Sequence, residues 1–170
     1  MIPRPDIIPA DFYQRYIDLI KDNDFREAIR KNTKQFRRIM ESVPRKKYDY
    51  KYAEGKWTIR QMLQHIIDAE RVFAYRALRF ARKDETPLSG FDETTWTPAS
   101  NYGRRRLADV VAELRAVRQA TLALLRGLEP EAFTRTGTAN NSSITVRALA
   151  YTIAGHERHH AQILKERYGV

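Results

Sequence analysis

Residues 155–164 read GHERHHAQIL and hold three of the four histidines of the chain. On a helix turning about 100° per residue, His156 and His160 fall within roughly 50° of the apolar centre set by Val146, Leu149, Ile153 and Leu164. The inward positions then read Leu149, Ile153, His156, His160 and Ile163, while His159 points roughly 110° away. Two imidazoles four residues apart stand about 5–6 Å apart at Cβ, close enough to chelate one ion. HExxH zinc helices use the same spacing, and here Glu157 also follows the first histidine. Glu157 lies on the flank of the core face, however, and no downstream ligand pattern of a protease follows. The other reading is a core pair satisfied by hydrogen bonds, which needs a partner for each ring in an apolar setting. The pair alone leaves both open.

A third donor would favour the metal. The remaining histidine, His65, sits in QMLQHIIDAE at the edge of an apolar stripe near Met62, Ala69 and Phe73, a place that also suits a half-exposed residue. It is about 10 Å from the start of its segment at Thr58, and His160 is about 12 Å from the end of its own at Tyr168. Antiparallel segments would bring the two to one level, whereas parallel ones would separate them by about 12 Å. Glu70, near the centre of the same stripe, is a possible ligand, but a partner arginine from a neighbouring helix is the commoner arrangement. A ferritin-like di-iron centre needs two Glu-x-x-His pairs, and only Glu157–His160 occurs, so that reading is rejected.

Four segments carry helical periodicity. The first, 24–43, has the stripe Phe25, Ile29, Phe36, Ile39, Met40 and Val43 and stops at Pro44. Before it lies an arm, 1–22, whose Phe12, Tyr16, Ile17 and Ile20 suit packing on the bundle or on a second subunit. The second, 59–83, opens with Thr58 as N-cap, Gln61 closing a capping box and Trp57 placed to staple onto Met62. The third, 105–127, repeats Leu107, Val110, Leu114, Val117, Thr121, Leu124 and Leu128, with Gly127 as its stop. The fourth, 146–168, is capped by Thr145, and its opening ITVRAL echoes WTIRQM. The pattern predicts an all-α four-helix bundle in a single domain, 1–170. The connection 84–104, DETPLSGFDETTWTPASNYGR, exceeds the about 2–8 residues usual in bundles, so it is long enough to cross the bundle.

The 170 residues include no cysteine, so a metal site must use His, Asp or Glu. MIPRPDIIPADFYQRY lacks a signal-like apolar run and nothing approaches the about 20 apolar residues of a membrane span; a soluble, cytoplasmic protein is expected. The net charge of +10 permits nucleic-acid binding. It is spread, though, over Arg37-Arg38, Arg45-Lys46-Lys47, Arg104-Arg105-Arg106 and many singles, which suits a solvated basic surface better.

WTIRQMLQHIIDAE, FDETTW and GHERHHAQIL, in this order over residues 24–168, resemble the DinB-like superfamily. The resemblance implies up-down-down-up topology with a long crossover loop between the second and third helices. It also implies a divalent metal, nickel or zinc, on His65, His156 and His160. Many relatives are homodimers; some transfer a low-molecular-weight thiol such as bacillithiol or mycothiol, and others are grouped as metal-dependent hydrolases. Three neutral ligands leave a position open for water or substrate, and the ion lowers the pKa of a bound water or thiol. The lack of cysteine suits a cosubstrate thiol. Asp92, Glu93 and Trp96 are expected at the mouth of such a site, where a carboxylate could act as general base, or else in a capped, solvated turn. His159 would be a proton shuttle or a helix-surface residue. The expected function is a metal-dependent transferase or hydrolase of a small molecule; a non-catalytic metal staple and a basic nucleic-acid module are the alternatives.

Overall fold

The computed structural model describes residues 1–5 and 11–170, the side chain of Asp11 excepted. The helices are α1 (Asp11–Ile17), α2 (Phe25–Ser42), α3 (Ile59–Ala81), α4 (Glu93–Ala99), α5 (Leu107–Arg126) and α6 (Val146–Tyr168). A hairpin, β1 (Thr136–Ala139) and β2 (Ser142–Thr145), precedes α6. The expected caps form. Thr58 Oγ1 accepts from the Gln61 amide while Gln61 Oε1 accepts from the Thr58 amide, and Thr145 Oγ1 accepts from the Ala148 amide. The third segment starts two residues later than its periodicity suggests, because Arg105 and Arg106 are extended. The second ends two residues early, where Lys83 turns into the left-handed region at φ 60°.

Side-chain pairings give the helix directions. Along α2 and α6 the numbers rise together: Phe25 packs on Tyr151, Asn32 donates to the Ala154 carbonyl, and past the end of α2 Lys47 donates to the Tyr168 carbonyl. Along α3 and α6 they run oppositely, since the Tyr168 hydroxyl donates to the Trp57 carbonyl while Phe73 packs on His156. Along α3 and α5 they rise together again, with Arg105 on Gln64 and Arg118 on Glu70. The four long helices therefore run up, down, down, up, and α3 lies antiparallel to α6.

The connection 84–104 makes this possible. Leu88 first pairs with the hairpin, its amide donating to the Thr138 carbonyl and its carbonyl accepting from the Asn140 amide. The chain then climbs back beside α3, held by Arg76 on the Ser89 carbonyl, forms α4, and reaches the first turn of α3 where Arg60 donates to the Arg105 carbonyl at 2.6 Å. The hairpin is an addition to the all-helical expectation. Its two turn residues, Asn140 and Asn141, have φ of 50° and 58°, the backbone that a two-residue turn matching strand twist requires.

The described part of the arm packs on the bundle: Tyr13, Tyr16, Ile17 and Ile20 are buried, and Phe12 is exposed. The approach is closest at Gly155 of α6, where a Cβ would stand 2.0 Å from the Tyr16 carbonyl oxygen. Only glycine lets α1 lie there, one residue from His156. No helix among the described residues is long and apolar enough to cross a membrane. The run Arg104-Arg105-Arg106 is not a free cationic patch, since Arg105 pairs with Glu113 and Arg106 with Asp109.

Candidate metal centre

Antiparallel packing brings His65 of α3 to the level of His156 and His160 of α6. The Nε2 atoms of His65 and His156 are 3.0 Å apart, and those of His160 and His156 are 3.2 Å apart. One donor atom from each of the three lies within 4.8 Å of the others. All three are buried, His65 included despite its place at the edge of the stripe. Trp57 covers it, with ring centroids 4.8 Å apart.

Hydrogen bonding cannot satisfy this trio. A ring nitrogen carries either a proton or one lone pair, so His156 Nε2 can make one good in-plane bond, yet it faces two other nitrogens. His160 Nδ1 is also buried without a hydrogen-bond partner among the described residues. Burial first, and the neighbouring histidines next, hold His156 and His160 well below the usual histidine range. Burial, followed by the charge of His159, lowers His65 to about 4. The rings are therefore neutral at pH 7, and their lone pairs are free to converge on one cation. Two nitrogens at about 2.0–2.1 Å from one zinc stand about 2.9–3.4 Å apart for angles between a right angle and the tetrahedral value, so the observed spacings fit a shared ion.

His159 stays out of the donor set. It is half-buried, its ring 5.1 Å from that of His160 and 5.5 Å from that of Tyr16. Tyr16 also stands edge-on to His156 at 5.1 Å, and Arg15 donates to its hydroxyl at 2.9 Å. Burial raises the Tyr16 phenol above its ordinary value.

The loop residues divide. Asp92 is the N-cap of α4, accepting from the Thr94 amide at 2.8 Å and the Thr94 hydroxyl at 2.6 Å. Those bonds hold its carboxyl below the usual range. Trp96 is exposed and stacks on Phe91 at 4.9 Å. Glu93 does reach the mouth, where with Thr94 it lines an open cleft of about 690 Å³ that also contains His160.

A second buried polar cluster lies beside the first. Arg118 of α5 donates to both oxygens of Glu70 at 2.8 Å, to Glu157 Oε2 at 2.8 Å and to the Thr33 hydroxyl at 2.6 Å. Glu70 thus takes an arginine partner from a neighbouring helix, as its position suggests. Glu157, expected on the flank of α6, is 2% exposed and takes its partner, Arg118, from α5. Sequence reasoning passed over Arg118 itself. Its signal was positional: it falls four residues after Leu114 and three before Thr121, on the apolar stripe of its own helix.

The family model of the DinB superfamily matches residues 28–164. Two proteins of Oceanobacillus iheyensis, each named "Putative metal-dependent hydrolase", are similar to this chain, one 30% identical over 114 residues and the other 29% identical over 118. These alignments cover 66% and 67% of this chain and 65% and 66% of the relatives, so the chain spans just under two thirds of their length. YfiT of Bacillus subtilis, which carries the same name, is 28% identical over 123 residues, 65% of this chain and 68% of its own. The solved structure of YfiT, described as a probable metal-dependent hydrolase with an unusual four-helix bundle topology, superposes with a TM-score of 0.74 at 22% identity, covering 98% of this chain and 93% of that one. A mycothiol-dependent maleylpyruvate isomerase superposes with a TM-score of 0.63 at 15% identity, covering 86% of this chain and 61% of that one. Both superpositions show a shared fold.

Proposed function

Because this chain belongs to the DinB superfamily, we propose that it is a metal-dependent enzyme acting on a small molecule, with His65, His156 and His160 holding a divalent ion. The observation that carries this reading is the convergence of three buried, neutral imidazoles, with His65 and His160 Nε2 at 3.0 and 3.2 Å from His156 Nε2 and one donor atom of each within 4.8 Å of the others. Bound there, nickel or zinc supplies Lewis acidity that brings a water or a cosubstrate thiol toward its anionic form near neutral pH.

The chain's own residues do the rest. Glu93, half-buried at the mouth, accepts the proton at its carboxylate. Trp57 and Tyr16 shut water from two sides of the trio and hold the rings of His65 and His156 in place. The reaction is transfer to a low-molecular-weight thiol or hydrolysis. The relatives named as hydrolases support the second, and the mycothiol-dependent neighbour supports the first. The homodimer implied by the resemblance is part of the same reading and is checked by sedimentation velocity.

The test is metal analysis of protein purified without a histidine tag. About one equivalent of nickel or zinc per chain is expected, lost in His160→Ala and kept in His159→Ala. Less than about a tenth of an equivalent, unchanged after incubation with either ion, overturns the reading.

A further inference from the structure

The cleft that contains His160 has a lining with a definite chemical bias. Tyr52, Trp57 and Tyr168 contribute three aromatic rings, and Met62 and Ile163 add apolar surface. The rings of Tyr52 and Tyr168 meet edge-on with centroids 5.1 Å apart. Among the lining side chains only Lys56 and Glu93 carry full charge at neutral pH. Glu93 sits on α4. Lys56 sits on the turn before α3, whose backbone is set by Gly55 at φ 71° and by the Lys56 amide donating to the Ala53 carbonyl. The Lys56 ammonium has no carboxylate partner among the described residues.

We propose that this cleft binds an aromatic carboxylate, its ring among Tyr52, Trp57 and Tyr168 and its carboxylate on the Lys56 ammonium. The far side of the ring then faces His160. Edge-on and offset contacts reward a planar ring beyond the area it buries, and an alkyl group of equal size gains only the area. A lone ammonium without a partner favours an anion through a charge-assisted hydrogen bond. The anion carries a single charge: one lysine, with the Glu93 carboxylate also on the wall, does not balance a phosphate dianion, and among the described residues no arginine lines the cleft to offer the guanidinium fork that phosphate sites use. As the substrate class of the metal centre, the proposal rests on the reading above, but the binding itself requires no ion.

That independence decides the experiment. The chain has two tryptophans, Trp57 and Trp96. In a Trp96→Phe background the fluorescence of Trp57 reports the cleft alone. Metal-free protein is titrated with benzoate and phenylacetate, and in parallel with benzamide and cyclohexanecarboxylate. Saturable quenching by at least one aromatic carboxylate is expected, with affinity about tenfold lower for the neutral amide, for the non-aromatic acid, and for either aromatic acid in Lys56→Met. Lys56 is an exposed turn residue, so that variant does not threaten the fold. Absence of saturation up to tens of millimolar, or affinity indifferent to Lys56→Met, overturns the proposal. Metal uptake and aromatic-acid binding, both measured on protein with His160 intact, separate the two readings. Binding that follows the expected ranking in a protein that never takes up metal keeps the cleft and removes the metal centre. Metal uptake without aromatic-acid binding does the reverse.

Discussion

Two buried polar clusters lie side by side between α3 and α6, and they are built on opposite principles. Arg118, Glu70, Glu157 and Thr33 form a closed set, in which one guanidinium meets two carboxylates and a hydroxyl and a side chain from each of the four long helices takes part. His65, His156 and His160 form an open set of three bases without an acid. His156 and Glu157 are consecutive residues, so the division falls between two neighbours on one helix. Burial of polar groups is common to both and marks neither as functional. The difference lies in whether the fold completes the set: the first is satisfied by the chain, and the second, among the described residues, leaves one nitrogen contact and His160 Nδ1 unsatisfied.

Changes to the closed set should have the largest effect. Arg118→Met strands two buried carboxylates and is expected to cost about 3–5 kcal/mol in urea denaturation. Adding Glu70→Leu and Glu157→Met should recover most of that loss, because a well-packed apolar set replaces a buried ion cluster at little cost. A triple variant no more stable than the single one would mean that the cluster does more than hold helices together.

The open set should respond to what is added. At a thousandfold excess over its dissociation constant, a bound ion raises stability by about 4 kcal/mol. Zinc or nickel should therefore raise the melting temperature of wild type. It should leave His160→Ala unchanged, and an equal rise in that variant would remove His160 from the ligand set.

The two clusters also differ in pH response. The folded metal-free protein holds the three histidines below their unfolded value of about 6.5, so the unfolded chain binds more protons as the medium acidifies. Stability is complete above about pH 6.5 and falls as the pH drops toward about 4, by about 3 kcal/mol for His65 alone. Denaturation curves at pH 7 and pH 4.5 should show the decrease, and His65→Phe should lessen it. A slope that survives the loss of His65 would point to other groups. The smallest change is Thr33→Val, which removes one acceptor from Arg118 and should cost about 1 kcal/mol with no effect on metal content.

Much of the helical frame was legible because its signals are local. Thr58 with Gln61, Thr145, and the three- and four-residue spacing of apolar side chains locate the long helices to within about two residues. The same periodicity separates His156 and His160 from His159, since direction on a helix depends on residue number alone. The hairpin was missed although Asn140-Asn141 is a turn dipeptide, because its strands are only four residues each. Asp92, Glu93 and Trp96 could not be told apart, since a cap, a cleft wall and a surface stack differ only in what surrounds them. Arg118 stayed hidden because an arginine on an apolar stripe makes sense only once its two carboxylates are in view.

The sequence by itself determined which residues share a helix face, where the helices begin, and that a cysteine-free chain must build any metal site from histidine and carboxylate. These follow from backbone periodicity and composition. Tertiary structure alone decided that His65 joins a pair some ninety residues away, that Tyr16 reaches His156 over Gly155, and that Lys56 shares a cleft with Trp57 and His160. The first and last depend on α3 running against α6, which a long connection climbing back along α3 allows, and the second on how the arm docks on α6. A loop records its route in the contacts it makes, and a single sequence carries no periodicity from which to read them.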